Sequence, residues 1–129
     1  MILDTNVIID LLRGERNIIN KIRDLEKKNI TILLTSISVF EIWQGLNDMV
    51  DLKKLEKIQF LLDSICTFYF DTSTAKEAGH IYALLRRNGQ IIDPEDSMIA
   101  GIAKFHREPI LTKNTKHFER INGLKIETY

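Results

Sequence analysis

The sequence predicts an α/β fold with a central, mainly parallel sheet of four to five strands, on three observations. Short apolar runs that suit strands alternate with segments whose apolar residues recur at helical spacing. The connections are short from end to end, as in strand–helix–strand units. Polar residues, several of them acids, repeatedly follow the strand runs, where a parallel sheet hands over to its helices.

Residues 1–4 form the first predicted strand, ending in Asp4. Residues 6–13 read as a short helix with Val7, Ile8, Leu11 and Leu12 inward, stopped by Gly14. Residues 15–28 make a second helix, because Ile18, Ile19, Ile22 and Leu25 repeat on one side and Arg16, Lys21, Arg23, Lys27 and Lys28 fall mostly on the other. Strand two is 31–35, followed by a helix over 38–48 and another over 51–64 striped by Leu52, Leu55, Ile58, Leu61 and Leu62. Strand three is 66–70, an apolar-aromatic run that would bury Cys66. Thr74 and Glu77 stand at capping-box spacing and open a helix carrying Ala75, Ala78, Tyr82 and Leu85 on one face, which ends near Arg86, Arg87, Asn88 and Gly89. Pro94 suits the first position of the next helix, with Met98, Ile99, Ile102 and Ala103 toward the core. Strand four at 109–112, a short helix at 114–121 and a strand at 124–128 complete the order.

At 129 residues the chain fits a single domain over 1–129, of a size that buries roughly 65–70% of the surface its unfolded form exposes. Hydrophobic residues at 44% and charged residues at 28%, with two Pro and six Gly, exclude a disordered or fibrous chain. No segment is apolar for long enough to cross a bilayer. The opening run lacks a basic leader and reaches an acid at position four, so it does not read as a signal peptide and the expected location is the cytoplasm. A lone Cys66 agrees with that. The formal net charge of zero excludes a protein that holds nucleic acid by a basic excess, but not one that grips phosphate through a metal.

In an open parallel sheet the binding crevice lies beyond the carboxyl ends of the strands. Asp4, Thr5 and Asn6 follow strand one; Thr35, Ser36, Ser38 and Glu41, in the first turn of its helix, follow strand two; Thr112 and Asn114 follow strand four. Asp93 and Asp96 follow the turn at Asn88 and Gly89. Each has a structural reading of its own: Ser38 and Glu41 have capping-box spacing, Asp93 can cap the helix begun by Pro94, Asp96 lies in that helix's first turn, and Asn114 is a favoured cap. Capping, however, does not require these acids to share one end of the sheet. Converging carboxylates repel one another, and a cation must offset that cost. Oxygen donors without Cys/His ligand spacing favour Mg²⁺ or Mn²⁺ over Zn²⁺. Such an ion suits phosphodiester chemistry, where it activates water and stabilises the leaving oxygen.

Four stretches in order resemble a known family across essentially the whole chain: ILDTNVIIDLL, SISVFEIWQGL, DSMIAGIAKFH and ILTKNTKHFERINGLKIETY. The chain resembles PIN-domain ribonucleases, specifically the VapC-like toxins of type II toxin-antitoxin pairs. The resemblance implies a three-layer α/β/α fold and a metal-dependent endoribonuclease. It makes Asp4, Glu41 and Asp96 the acidic centre, with Asp4 and Asp96 as direct metal ligands and Glu41 binding through water or orienting it. The fourth polar position falls on Asn114, where many relatives carry Asp, so one charge is missing unless Asp93 supplies it. Thr5, Asn6, Ser36 and Thr112 are expected to orient the acids. Lys113 and Lys116 flank Asn114 and are candidates for substrate phosphate. The family also implies an RNA substrate, a homodimer and an antitoxin laid across the site, for which Phe40, Trp43 and Met49 are candidate contacts, with Phe40 and Ile42 otherwise expected in the core.

His80, His106 and His117 lie far apart in sequence with no acid or Cys at ligand spacing, so they read as solvated or structural. Arg86 and Arg87 suit a helix C-terminus. A phosphatase of the haloacid-dehalogenase kind needs a second acid two residues after the first, and position six is Asn6; a phospho-accepting receiver domain needs an Asp at the end of a central strand, where Thr35 and Ser36 stand. A housekeeping RNA-processing nuclease and a non-cleaving binding module of the same fold are the remaining alternatives.

Overall fold

The computed structural model describes residues 1–46 and 50–129. Among the described residues five strands form one sheet: β1 (Ile2–Leu3), β2 (Leu33–Thr35), β3 (Cys66–Phe68), β4 (Ile110–Leu111) and β5 (Ile126–Glu127), in the order β3-β2-β1-β4-β5. Every pairing is parallel, with Ile2 opposite both Leu33 and Ile110. The helices are α1 (Thr5–Leu12), α2 (Arg16–Lys27), α3 (Ser36–Gly45), α4 (Leu52–Ser64), α5 (Thr72–Arg87), α6 (Pro94–His106) and α7 (Thr115–Phe118). The strands are shorter than the apolar runs suggest, because each ladder stops where the chain turns into its next element.

Alternation along the strands divides the apolar side chains between two cores. Ile2, Leu33 and Ile110 face one side, with Ile81 and Leu85 of α5, Ile99 and Ile102 of α6, and Phe118 of α7. Leu3, Leu34 and Leu111 face the other, with Val7 and Ile8 of α1, Ile18 and Leu25 of α2, and Ile58 and Leu62 of α4. The result is the expected three-layer α/β/α arrangement. Strands added after β1 go to one side of it and β4 goes to the other, so the chain reverses direction across the sheet between β1 and β4. A crevice opens at such a reversal, beyond the carboxyl ends of the strands.

Several expectations are corrected. Cys66 is exposed, since β3 is an edge strand whose partner among the described residues is β2 alone. Helix α5 begins three residues earlier than expected, and its capping box is Asp71 with Thr74: Asp71 Oδ1 accepts from Thr74 N at 2.9 Å and Thr74 Oγ1 accepts from Asp71 N at 2.8 Å. Glu77 instead pairs with Lys104 of α6 at 3.0 Å. Leu52, at the first turn of α4, is 70% exposed and leaves the stripe; Phe40 is 57% exposed and does not pack in the core, whereas Ile42 does. Asn47 and Asp48 of the expected 38–48 helix, and the candidate contact Met49, lie outside the described residues.

Helices α5 and α6 meet backbone to backbone. A Cβ on Gly101 would stand 2.6 Å from both the Cβ and the N of Ala78, whereas a Cβ on Gly79 would meet open space. Gly101→Ala is therefore expected to lower unfolding stability by about 1–3 kcal/mol through overpacking. Gly79→Ala should leave it unchanged or raise it by up to about 1 kcal/mol through helix propensity. Urea unfolding of the two variants checks this, and equal effects would contradict the close crossing.

Candidate active site

Asp4 ends β1 and occupies the N-cap of α1, which is why that helix starts at Thr5 rather than Asn6. It is 2% exposed. Its Oδ1 accepts from Thr5 N at 2.8 Å and its Oδ2 accepts from Thr112 Oγ1 at 2.7 Å. Thr112, just past β4, also accepts from Asn114 N at 2.9 Å. One hydroxyl thus ties together the chain ends on both sides of the sheet reversal.

Glu41 is set by the start of α3. Thr35 caps this helix, accepting from Ser38 N at 3.0 Å, so the Ser38–Glu41 capping box does not form and Glu41 falls in the second turn. Its Oε2 accepts from Thr5 Oγ1 at 2.5 Å, leaving Oε1 free. Thr5 therefore donates to Glu41, and Thr112 to Asp4. Ser36 does not: its Oγ accepts from Phe70 N at 3.0 Å and fastens α3 to the end of β3. Asn6 is exposed beside this site.

Asp96 lies in the first turn of α6, a helix anchored by the buried run from Ile99 to Ala103, and the positive end of that helix favours its carboxylate. Asp93 holds the N-cap position, but its side chain makes no capping bond, contrary to the structural reading of that residue. The partner the sequence reading set aside is His117. Its Nδ1 lies 2.6 Å from Asp96 Oδ2 and 2.7 Å from Asn114 Nδ2. Ligand atoms of Asp93, Asp96 and His117 all fall within 4.8 Å of one another. Linear spacing hid this, because Asp96 and His117 are 21 residues apart. The available signal was the three-residue step from Asn114 to His117 on a short helix directly after a central strand. The other histidines fit the expectation: His80 is exposed, and His106 stacks on Phe68 with centroids 4.1 Å apart.

The two lysines differ. Lys113 is held by an ion pair to Asp10, which also accepts from Tyr129 Oη at 2.9 Å, so a substrate phosphate would have to displace Asp10. Lys116 is exposed. Lys113 and Tyr129 together hold the Asp10 carboxyl below its ordinary range.

Burial pushes the Asp4 carboxyl above its ordinary value, with the charge of Asp96 adding to this and the bonds from Thr112 and Thr5 N opposing it. Burial likewise raises Glu41, against the Thr5 bond and with help from Asp4, Asp96 and Glu95. The acids therefore share one field, which His117 offsets only in part at Asp4. Oxygen-rich, mutually repelling donors beside an imidazole fit a divalent cation in chemistry and in spacing.

A cluster of acids over the reversal point of a parallel sheet is the layout of an acid-cluster nuclease. The PIN-domain family profile matches residues 1–124, and the chain belongs to the PIN-domain family, in its VapC ribonuclease branch. It is similar to the tRNA(fMet)-specific endonuclease VapC of Shigella flexneri, 30% identical over 128 residues that cover 98% of this chain and 96% of that protein. Ribonuclease VapC3 of Methanocaldococcus jannaschii is 36% identical over 101 residues, 78% of this chain and 95% of that one. Among solved structures, a chain of VapBC2 from Rickettsia felis bound to a promoter DNA fragment superposes with a TM-score of 0.89 at 25% identity, over 99% of this chain and 97% of that one. A chain of DNA-bound VapBC from Salmonella typhimurium gives 0.86 at 28% identity, over 98% and 96%.

An acid whose folded-state pKa is raised binds its proton more tightly when folded, so its contribution to stability is present at low pH and is lost as pH rises through the raised value. Asp4→Asn is therefore expected to stabilise the protein at pH 7 in metal-free buffer. The gain should shrink as pH falls toward the ordinary carboxyl value of 3.8. Thermal melts of both proteins across that range measure it, and a pH-independent difference would contradict the assigned cause.

Proposed function

We propose that this chain is a divalent-metal-dependent endoribonuclease and the toxin of a toxin-antitoxin pair. The observation that carries the reading is the convergence of Asp4, Glu41 and Asp96 at the reversal between β1 and β4, wired by Thr5 and Thr112. Its relatives, an endonuclease and a ribonuclease, support it. Asp4 and Asp96 would hold Mg²⁺ or Mn²⁺. When bound, the cation supplies Lewis acidity and offsets the negative charge that builds at phosphorus. Glu41, with Oε2 fixed by Thr5, receives the proton of the attacking water at Oε1; its raised pKa suits a group that must both take and release a proton. Asn6 and Lys116 stand exposed near the site to meet substrate. Asn114 orients rather than charges the site: its backbone N donates to Thr112 Oγ1 and its side-chain amide meets His117 Nδ1.

For partners, two of the solved relatives are toxin-antitoxin assemblies bound to DNA. Phe40 and Trp43, 57% and 47% exposed, line a groove with Val39 and Gln44 on the face of α3. An antitoxin segment covers this groove, and the toxin acts as a homodimer. No helix among the described residues is long and apolar enough to cross a membrane.

Incubating the protein with structured and unstructured RNAs tests the assignment. Cleavage should require Mg²⁺ or Mn²⁺ and stop with chelator. Asp4→Asn and Asp96→Asn should each lower the rate by about 10²-fold or more, the scale for removing a group that stabilises developing charge. Equal rates for wild type and variants would reject the nuclease assignment. Growth arrest on expression, relieved by a neighbouring gene, separates a toxin from a housekeeping enzyme.

A further inference from the structure

Asn114 leaves one corner of the acid site without charge, and three residues further along the same short segment the chain turns an imidazole toward Asp96. Resting on the metal-nuclease reading above, we propose that His117 is a direct nitrogen ligand of the metal, together with Asp96 and Asp93, and that it makes the site prefer Mn²⁺ to Mg²⁺.

The spacing suits one ion. Nδ1 of His117 and Oδ2 of Asp96 are 2.6 Å apart, close to the edge of an octahedron around a small divalent cation, roughly 3 Å for bonds of about 2.1 Å. The ligand atoms of Asp93, Asp96 and His117 all lie within 4.8 Å of one another, little more than the roughly 4.2 Å between opposite corners of such an octahedron. A cation takes the place of the hydrogen bond between ring and carboxylate, and the pair opens by a few tenths of an ångström.

The residues around the cluster are also better explained with a ligand than without one. Asp93 sits at a helix cap and declines to cap, which leaves its carboxylate available. His117 presents the same nitrogen to Asp96 and to the amide nitrogen of Asn114, and one ring nitrogen cannot donate to the first while accepting from the second. With Nδ1 on a cation, the proton moves to Nε2 and the ring is neutral. Asn114, turned about its amide so that Oδ1 replaces Nδ2, then offers an oxygen where a donor had competed. The imidazole is held for this role by its neighbours: Phe118 is fully buried and Ile121 nearly so, which pins the single turn of α7 against the sheet.

The preference follows from ligand chemistry. Mg²⁺ binds oxygen almost exclusively, whereas imidazole suits transition ions, so one nitrogen in the set favours Mn²⁺. His117 thus compensates at Asn114 for a missing carboxylate by changing the ligand type rather than by restoring the charge.

The test uses tag-free, full-length protein and each metal alone. Calorimetric titration of the wild type should give tighter binding for Mn²⁺ than for Mg²⁺. Electron spin-echo modulation of the Mn²⁺ complex should show coupling to a nitrogen nucleus. In His117→Ala that coupling should vanish and Mn²⁺ affinity should fall by about tenfold or more, while Mg²⁺ affinity changes by less than about threefold. Mn²⁺ binding to wild type without nitrogen coupling, or coupling that persists in His117→Ala, overturns the ligand assignment and leaves the metal-nuclease reading standing. Absence of any divalent binding to wild type overturns both. The wild-type spectrum decides the ligand even if the variant fails to fold.

Discussion

The hydrogen bond from Thr112 to Asp4 joins the two strand ends between which the sheet reverses its direction of growth. Both residues are buried, and each belongs to the loop that launches the element after its strand. The same carboxylate caps α1 through Thr5, whose hydroxyl in turn fixes Glu41 on α3. Sheet register, helix starts and the orientation of two acids therefore hang on one short chain of polar contacts. Its members are hydroxyls and a backbone amide, groups that can donate to a carboxylate without cancelling its charge.

That choice has an energetic sign. Partners such as Arg or Lys would lower the carboxyl pKa values and stabilise the folded chain, but they would also occupy the space and charge that a cation needs. Here burial and mutual repulsion win at Asp4 and Glu41 despite their hydrogen bonds. The lysine ion pairs Lys113–Asp10 and Lys104–Glu77 do not use these acids, and Asp96 meets an imidazole, His117. Among the described residues no lysine or arginine pairs with Asp4, Glu41 or Asp96.

Much of this was legible in the sequence, because periodicity is a local property. The order of elements, the parallel sheet and the polar residues at strand ends all follow from apolar spacing and from where runs such as residues 1–4 and 109–112 stop. Local competition was less legible. Asp71 and Thr74 form the cap that Thr74 and Glu77 were expected to form: Asp71 is the stronger capping residue, and the apolar periodicity after it does not fix which residue starts the helix. Burial at the periphery was misjudged at Cys66 and Phe40, whose apolar neighbours imply a core that the edge strand and the outer face of α3 do not provide. His117 was illegible for a different reason. Its meaning depends on Asp96, and only the closing of β4 beside β1 brings α7 over the start of α6.

The contact between Gly101 and Ala78 carries a consequence of another kind. Gly101 lies five residues after Asp96 on α6, about 7.5 Å along the helix axis. A rigid helix transmits displacement over that length almost undiminished, so the α5–α6 crossing works as a gauge block that sets how far the Asp96 carboxylate stands from Asp4. Misfit there reaches the acids as a change of separation, and catalysis, which responds to fractions of an ångström, would register it at a scale too small for the fold to resist.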